Sequence, residues 1–332
     1  MNKSEIEQMR KAMGTLPSQH PKKSYNYSDD ITSIVVNIID HTRNPYKVIC
    51  AAVSATWGDD ETGSTGKWNQ LSPQNRFRLV LSHLTGQTLP QASEGINFQF
   101  EVNGLSRHDF DQHARARVGI HFMSIGTRDN NKLDSRFLFY DEIIQRMNKD
   151  ENYKNQVENW IKITKDLYEE TIKHSESSWQ NGRAFLPQSV NHSYVFGCNL
   201  IALKGQMSRR LLACEQEGIV TLHWKIHSLI KEKFPLIANY MRPACDNAKR
   251  CVYMEGAEGL TKYFSNLYDG CGRWEIKNKD NSEYKEFNHS CTDYNRLKDL
   301  GIPVVDKDEW VRYTEEDYDK LSDIDKKMFE ED

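Results

Sequence analysis

The amino-acid sequence predicts an α/β (α+β) chain, and three stretches carry that expectation. Ile96-Asn-Phe98-Gln-Phe100-Glu-Val102 is apolar at every second position, the period of a strand with one face on a core. Directly behind it, Ser106 stands at a helix N-cap position with Asp109 three residues on. That capping-box arrangement opens a short helix through Arg115 to about Gly119. Between residues 141 and 175, Trp160, Ile163, Leu167 and Ile172 recur near helical spacing and mark a long helical block.

The remaining elements follow in order. Residues 31–41 are rich in Ile and Val and read as a first strand, and residues 45–57 read as a helix. The stretch 59–66 is polar and glycine-containing and reads as a loop; Ser72-Pro73 then opens a helix to Leu84. Asn103-Gly104 is expected to turn the chain after the 96–102 strand. Arg183-Ala-Phe-Leu186-Pro187 closes the long helical block. A strand over 190–198 follows, then a helix containing Asn199, Lys204 and Arg210, then another over 221–234 with Leu222, Ile226, Leu229 and Ile230 on one side. Beyond Pro235 the composition shifts to cysteines, glycines and aromatics, and the tail from Asp306 is acidic. These shifts divide the chain into residues 1–237 and a C-terminal extension, 238–332.

Composition narrows the function. With 332 residues there is ample length for a sizeable core, and the net charge of −4 gives no global electrostatic case for binding nucleic acid or a membrane surface. Met1-Asn-Lys-Ser-Glu lacks the apolar stretch of a secretory signal, and no run reaches bilayer-spanning length, so a soluble, cytoplasmic protein is expected. Seven cysteines at irregular spacing argue against a disulfide framework and leave free thiols or a metal site. Cys245, Cys251, Cys271 and Cys291, with His289 as an alternative ligand, are the candidates for a structural zinc in the extension. No Cys-x-x-Cys knuckle is present, and free thiols account for the same residues.

Gln112-His-Ala-Arg115-Ala-Arg117 puts an amide and two guanidinium groups behind the 96–102 strand, a donor cluster suited to an anion. Gln112 and Arg115 share a helix face; Arg117 points elsewhere. An arginine at a helix end in so polar a chain is equally at home in solvent or in a surface ion pair.

The order of these elements resembles the flavin-dependent thymidylate synthases. That family carries Gln-x-x-Arg-His-Arg behind a Glu-His-x-x-Phe-x-Phe strand, and here Glu94-Gly-Ile-Asn-Phe98-Gln-Phe100 leads to Gln112-His-Ala-Arg115-Ala-Arg117 with the spacing shifted by one residue. The family's Arg-x-x-Leu-Pro is matched by Arg183-Ala-Phe-Leu186-Pro187, its Asn by Asn199 and its second substrate arginine by Arg210. Its Gln-Trp-Glu-Ile is matched by His223-Trp224-Lys-Ile226, after an insertion of about six residues. The family's central histidine is Ala116 here. Its Ser-x-Asn-Glu-x-Ser-Gly-Arg segment reads Ile120-His-Phe122-Met123-Ser-Ile125-Gly126-Thr-Arg128, which has lost the Glu.

The resemblance implies a thymidylate synthase-like fold, a mixed sheet flanked by helices, with the C-terminal extension added. It implies FAD as cofactor, NADPH and methylenetetrahydrofolate as co-substrates, and a homotetramer sharing its sites. The reaction would be transfer of a one-carbon unit to C5 of a pyrimidine deoxynucleotide monophosphate, dUMP to dTMP in the simplest version. It places Gln112, Arg115, Ser124, Gly126, Arg128, Arg183 and Arg210 on the substrate, Arg210 in the catalytic role, and Glu94, Arg115, Ala116, Arg117 and Asn199 on the cofactor. The altered 120–128 segment leaves two alternatives open: an enzyme of the same fold with another base or a hydroxymethyl product, and a non-catalytic nucleotide-binding or assembly protein.

Overall fold

The computed structural model describes residues 27–57, 63–124, 126, 131–174, 179–212, 215–249 and 294–331. In chain order the elements that matter below are β1 (Tyr27–Asp29), α1 (Asp30–Ser33), β2 (Val35–His41), α2 (Pro45–Trp57), α3 (Gly63–Gln70), α4 (Pro73–Leu84), β3 (Asn97–Ser106), α5 (Arg107–His113), β4 (Ile120–Ser124) and β5 (Phe137–Phe139). After them come α6 (Asp141–Lys149), α7 (Glu151–His174), β6 (Asn191–Asn199), α8 (Leu200–Arg210), α9 (Glu217–Lys233) and α10 (Asp323–Glu330). The described residues divide into two compact units, one drawn from 27–33, 104–110 and 124–193, the other from 34–103, 111–123 and 194–331.

In the first unit β1 pairs in parallel with β5, Tyr27 opposite Phe137 and Asp29 opposite Phe139. Helices α6 and α7 cover this pair: Phe137, Phe139 and Ile161 form a small core to which Tyr27, Ile143, Ile144 and Val157 add their sides. The face α7 buries is Ile161, Thr164, Lys165 and Tyr168, one residue round from Trp160, Ile163 and Leu167, which are about half exposed. Lys165 can sit on that inner face because its ammonium is met. The Lys165 ammonium donates to the carbonyls of Leu133 and Ser135 and lies 5.3 Å over the Phe137 ring.

The second unit is built on a four-stranded sheet of order β2-β3-β6-β4. Strands β2 and β3 are antiparallel from Val35 opposite Asn103 to His41 opposite Phe98, with a register shift between Ile38 and Asp40. The alternation read from the sequence puts Phe98, Phe100 and Val102 in the core. Phe100 stacks on Phe196 at 5.0 Å, and Phe98 meets Phe234 at the end of α9 edge-on at 6.0 Å. Helix α9 buries Leu222, Ile226 and Ile230. The C-terminal helix α10 belongs to this unit: Phe329 is fully buried and stacks on Tyr46 at 4.5 Å, while Arg76 donates to the Phe329 carbonyl at 2.6 Å.

Four expectations need correction. The first strand begins at Val35, since Asp30–Ser33 is helical. Residues 63–66 are the start of α3, whose last turn is anchored by buried Trp68 donating to the Glu331 carbonyl at 3.0 Å. Asn103-Gly104 is no turn, because β3 runs on to Ser106. Gly104 takes φ +78 where a Cβ would stand 1.8 Å from the Ser33 carbonyl oxygen, a close backbone approach only glycine permits. Finally, α5 ends at His113 and not near Gly119, and the following turn finishes on Gly119 at φ +69. Its start does follow the capping signal: the Asp109 N–H donates to Ser106 Oγ at 3.4 Å, and the Ser106 hydroxyl donates to the Asp109 carboxylate.

Candidate nucleotide site

Helix α5 delivers Gln112 and His113 at its last turn, and α8 delivers Arg210 at its own. Between α8 and α9 stands Glu215, and one of its oxygens joins the two helix ends. Gln112 Nε2 donates to Glu215 Oε2 at 2.8 Å and Arg210 Nη1 donates to the same oxygen at 2.5 Å. The Arg210 and Glu215 side chains are each 17% exposed, so the ion pair is largely but not wholly out of water. Gln112 Oε1 is buried and has no hydrogen-bond partner among the described residues.

An aromatic and imidazole wall stands behind this trio. The His113 ring lies within 5.0 Å of Phe122, 4.9 Å of Phe196 and 5.2 Å of His223, and its Nδ1 is 2.7 Å from the Tyr194 hydroxyl. Burial holds His113 neutral, its pKa well below the usual imidazole value, and neighbouring His223 and Arg210 push it the same way. His223 is brought down to about 4, again chiefly by burial. Its Nδ1 lies 2.8 Å from the Ile219 carbonyl, which can only accept; the proton therefore sits on Nδ1, and buried Nε2 is left as an acceptor without a partner among the described residues.

Arg115 and Arg117 lie on the segment after α5, both exposed and in no ion pair among the described residues; Ala116 between them is half-buried. That segment ends on Gly119, whose carbonyl accepts the Asn199 N–H at 3.1 Å and where an added Cβ would stand 2.9 Å from the Asn199 side-chain amide atoms. Asn199 is the N-cap of α8, its Oδ1 accepting from the Ala202 N–H at 2.9 Å. Of the segment after α5, Gly119 is the residue that meets Asn199. Glu94 is exposed at the end of the 3-10 turn Pro90–Ser93. Ser124, Gly126 and Arg183 are exposed and belong to the first unit, Arg183 in the 3-10 turn Arg183–Phe185. Arg128 lies outside the described residues, as do Cys251, Cys271, His289 and Cys291. Of the proposed zinc ligands only Cys245 is described, buried and with Sγ 3.7 Å from Asp246 Oδ1. Cys198 is buried, its thiol pushed up to about 12 by desolvation, which suits a packing role.

Sequence reasoning missed Glu215, His113 and Tyr194. It also missed a second polar group in the first unit, where Asp30, His108 and Asp109 bring a donor atom each to within 4.8 Å of one another and the Tyr140 hydroxyl donates to Asp109 at 3.1 Å. The only sequence signal for that group was the capping position of Asp109.

Comparison with known proteins decides the family. The profile described as thymidylate synthase complementing protein matches residues 37–236, three-fifths of the chain and all of the elements that carry the Gln112–Arg210–Glu215 contact. The chain belongs to this family. Helix α10 lies outside the matched stretch. No curated protein sequence matches the chain. Among solved structures, the UMP/dUMP methylase PolB from Streptomyces cacaoi bound with 5-Br dUMP is 16% identical, with 65% of this chain and 96% of that one covered at a TM-score of 0.49. The same enzyme bound with 5-Br UMP is 15% identical, with 65% and 95% covered at 0.46.

Proposed function

We propose that this thymidylate synthase complementing family member transfers a one-carbon unit to C5 of a pyrimidine deoxynucleotide monophosphate. FAD would be its cofactor, with methylenetetrahydrofolate and NADPH as co-substrates. The observation that carries the reading is the family match over 37–236, because it spans every residue of the Gln112–Glu215–Arg210 contact together with Arg115, Arg117 and Asn199. The donor set fits the cofactor: two exposed guanidinium groups, two residues apart in the segment after α5, have the permanent charge that a diphosphate requires. Flavin, when bound, supplies the hydride chemistry.

The chain's own residues have the remaining tasks. Arg115 and Arg117 would hold the cofactor's diphosphate, Arg183 the substrate phosphate, and Gln112 with Arg210 would set the pyrimidine against the reacting face. The His113–His223 wall excludes water from the back of that corner and carries no charge near neutral pH, so the field at the base comes from Arg210 and Glu215. Purified protein should be yellow, and it should bind pyrimidine deoxynucleoside monophosphates in calorimetry but not the free nucleosides. Colourless protein that takes up no FAD on incubation would end the proposal.

A further inference from the structure

The connection from α8 to α9 carries Glu215, the carboxylate that both Arg210 and Gln112 reach, and residues from far along the chain hold it at each end. A helix leaves its last carbonyls without partners of its own. At the end of α8 one of these is met from outside: the buried Tyr294 donates its hydroxyl to the carbonyl of Leu211, the C-cap residue directly after Arg210. At the other end Arg296 Nη1 donates to Glu217 Oε1, in a partly buried ion pair. Glu217 is the first residue of α9, two residues after Glu215, where the helix dipole also favours a carboxylate.

Tyr294 and Arg296 belong to one short helix, Tyr294–Asp299, and that helix is firmly seated. Its Leu297 is fully buried, and the Tyr294 ring meets Trp224 of α9 edge-on at 6.3 Å. All of these residues lie in the second unit. Between the two anchors, the Glu215 N–H donates to the Leu212 carbonyl at 3.1 Å, so fixing Leu211 and Glu217 fixes where the Glu215 carboxylate stands. An arginine side chain has many rotamers, and the 2.5 Å contact with that carboxylate selects the one Arg210 adopts.

We infer that Tyr294 and Arg296 are positioning residues of the nucleotide site, bracing the connection that sets Glu215 and, through it, the Arg210 and Gln112 side chains. The inference rests on the reading of Arg210 and Gln112 as substrate contacts and gives the chain beyond the matched stretch, 37–236, a part in that site.

The test is calorimetric titration of the full-length protein with dUMP and dCMP, for wild type, Arg296→Glu, Arg296→Lys and Tyr294→Phe, and for Arg296→Glu combined with Arg210→Ala. Arg296→Glu should weaken binding of the tighter ligand about five-fold or more, whereas Arg296→Lys, which keeps the charge, should stay within about two-fold of wild type. Tyr294→Phe should shift affinity in the same direction as Arg296→Glu. In the Arg210→Ala background Arg296→Glu should add almost nothing, because the group through which it acts is gone. A residue that only stabilised the fold would lower the urea midpoint and leave the affinity of the folded protein unmoved. Arg296→Glu and Tyr294→Phe proteins that bind as tightly as wild type, or a loss that persists undiminished in the Arg210→Ala background, overturn the inference while leaving the nucleotide reading standing. Should Arg296→Glu fail to fold, Tyr294→Phe, which removes a single hydroxyl, decides alone and with Arg210→Ala. Binding of neither monophosphate by wild type sinks both.

Discussion

Arg115, Arg117 and Arg183 share a feature that separates them from Arg210: each is exposed, whereas Arg210 is tied to Glu215 at 2.5 Å. That difference assigns them different tests. Arg115→Ala should strip flavin from the purified protein, since a charge-assisted contact to a diphosphate is worth about 1.5 to 3 kcal/mol, a ten-fold or greater loss of affinity. The flavin-to-protein absorbance ratio reports it, and a mutant as yellow as wild type would remove Arg115 from the cofactor site. Arg183→Ala should weaken monophosphate binding in calorimetry about ten-fold; a variant that binds the monophosphate as tightly as wild type would mean that Arg183 does not meet the phosphate. Gln112 and Arg210 were legible in the sequence because motif spacing singles them out. Glu215 was not, since a carboxylate in the connection between two helices has no periodicity to mark it and gains meaning only when both helix ends arrive. The neutral His113–His223 pair was hidden for a related reason: burial, which sets its chemistry, is a property of the fold.

At the scale of elements, local signals were sufficient wherever the chain supplies its own caps. Helices α2 and α4 run over Pro45–Trp57 and Pro73–Leu84 as read, and Ser72 caps α4 by accepting from the Asn75 N–H at 3.3 Å. The alternation of β3 likewise stated its buried face outright. The misread pieces are those set by distant residues. Helix α3 depends on Trp68 reaching Glu331, and Gly104 looks like turn punctuation until Ser33 is seen against it. The acidic tail is the largest such case: α10 carries Phe329 between Tyr46 and Phe77, and Asp325 accepts from the Tyr46 hydroxyl, the Ser322 hydroxyl and the Leu236 N–H. Phe329→Ala should therefore cost about 3 to 5 kcal/mol, seen as a lowered urea midpoint with the slope retained. A midpoint within experimental error of wild type would show that α10 is an appendage and not part of this core.

For the whole molecule two expectations remain. A homotetramer of 38.7 kDa chains should appear in light scattering, and a monodisperse monomer would remove the shared-site model. The second concerns acid. His83, His192, His223 and His227 are each brought down to about 4, and His113 lies well below its ordinary value, in every case first by burial. An unfolded imidazole titrates near 6.5, so as pH falls below that value the unfolded chain takes up protons that the native one refuses. Stability is then fully present from about pH 7.5 upwards, one unit above the unfolded value, and is lost as pH falls through 6.5 towards 4, each fully buried histidine contributing a slope of up to about 1.4 kcal/mol per pH unit. Asp325 works the other way: burial raises its pKa, so the native state takes its proton the more readily and offsets part of the loss at the acid end. Urea midpoints measured at pH 8, 7.5 and 5 should be nearly equal for the first two and clearly lower for the third. Replacing His223 by Gln, which keeps an acceptor and a donor but does not titrate, should flatten the fall between pH 6.5 and 5. A midpoint that holds steady down to pH 5 would mean that these histidines take up protons in the folded protein, and the uncharged wall behind Arg210 and Glu215 would have to be abandoned with them.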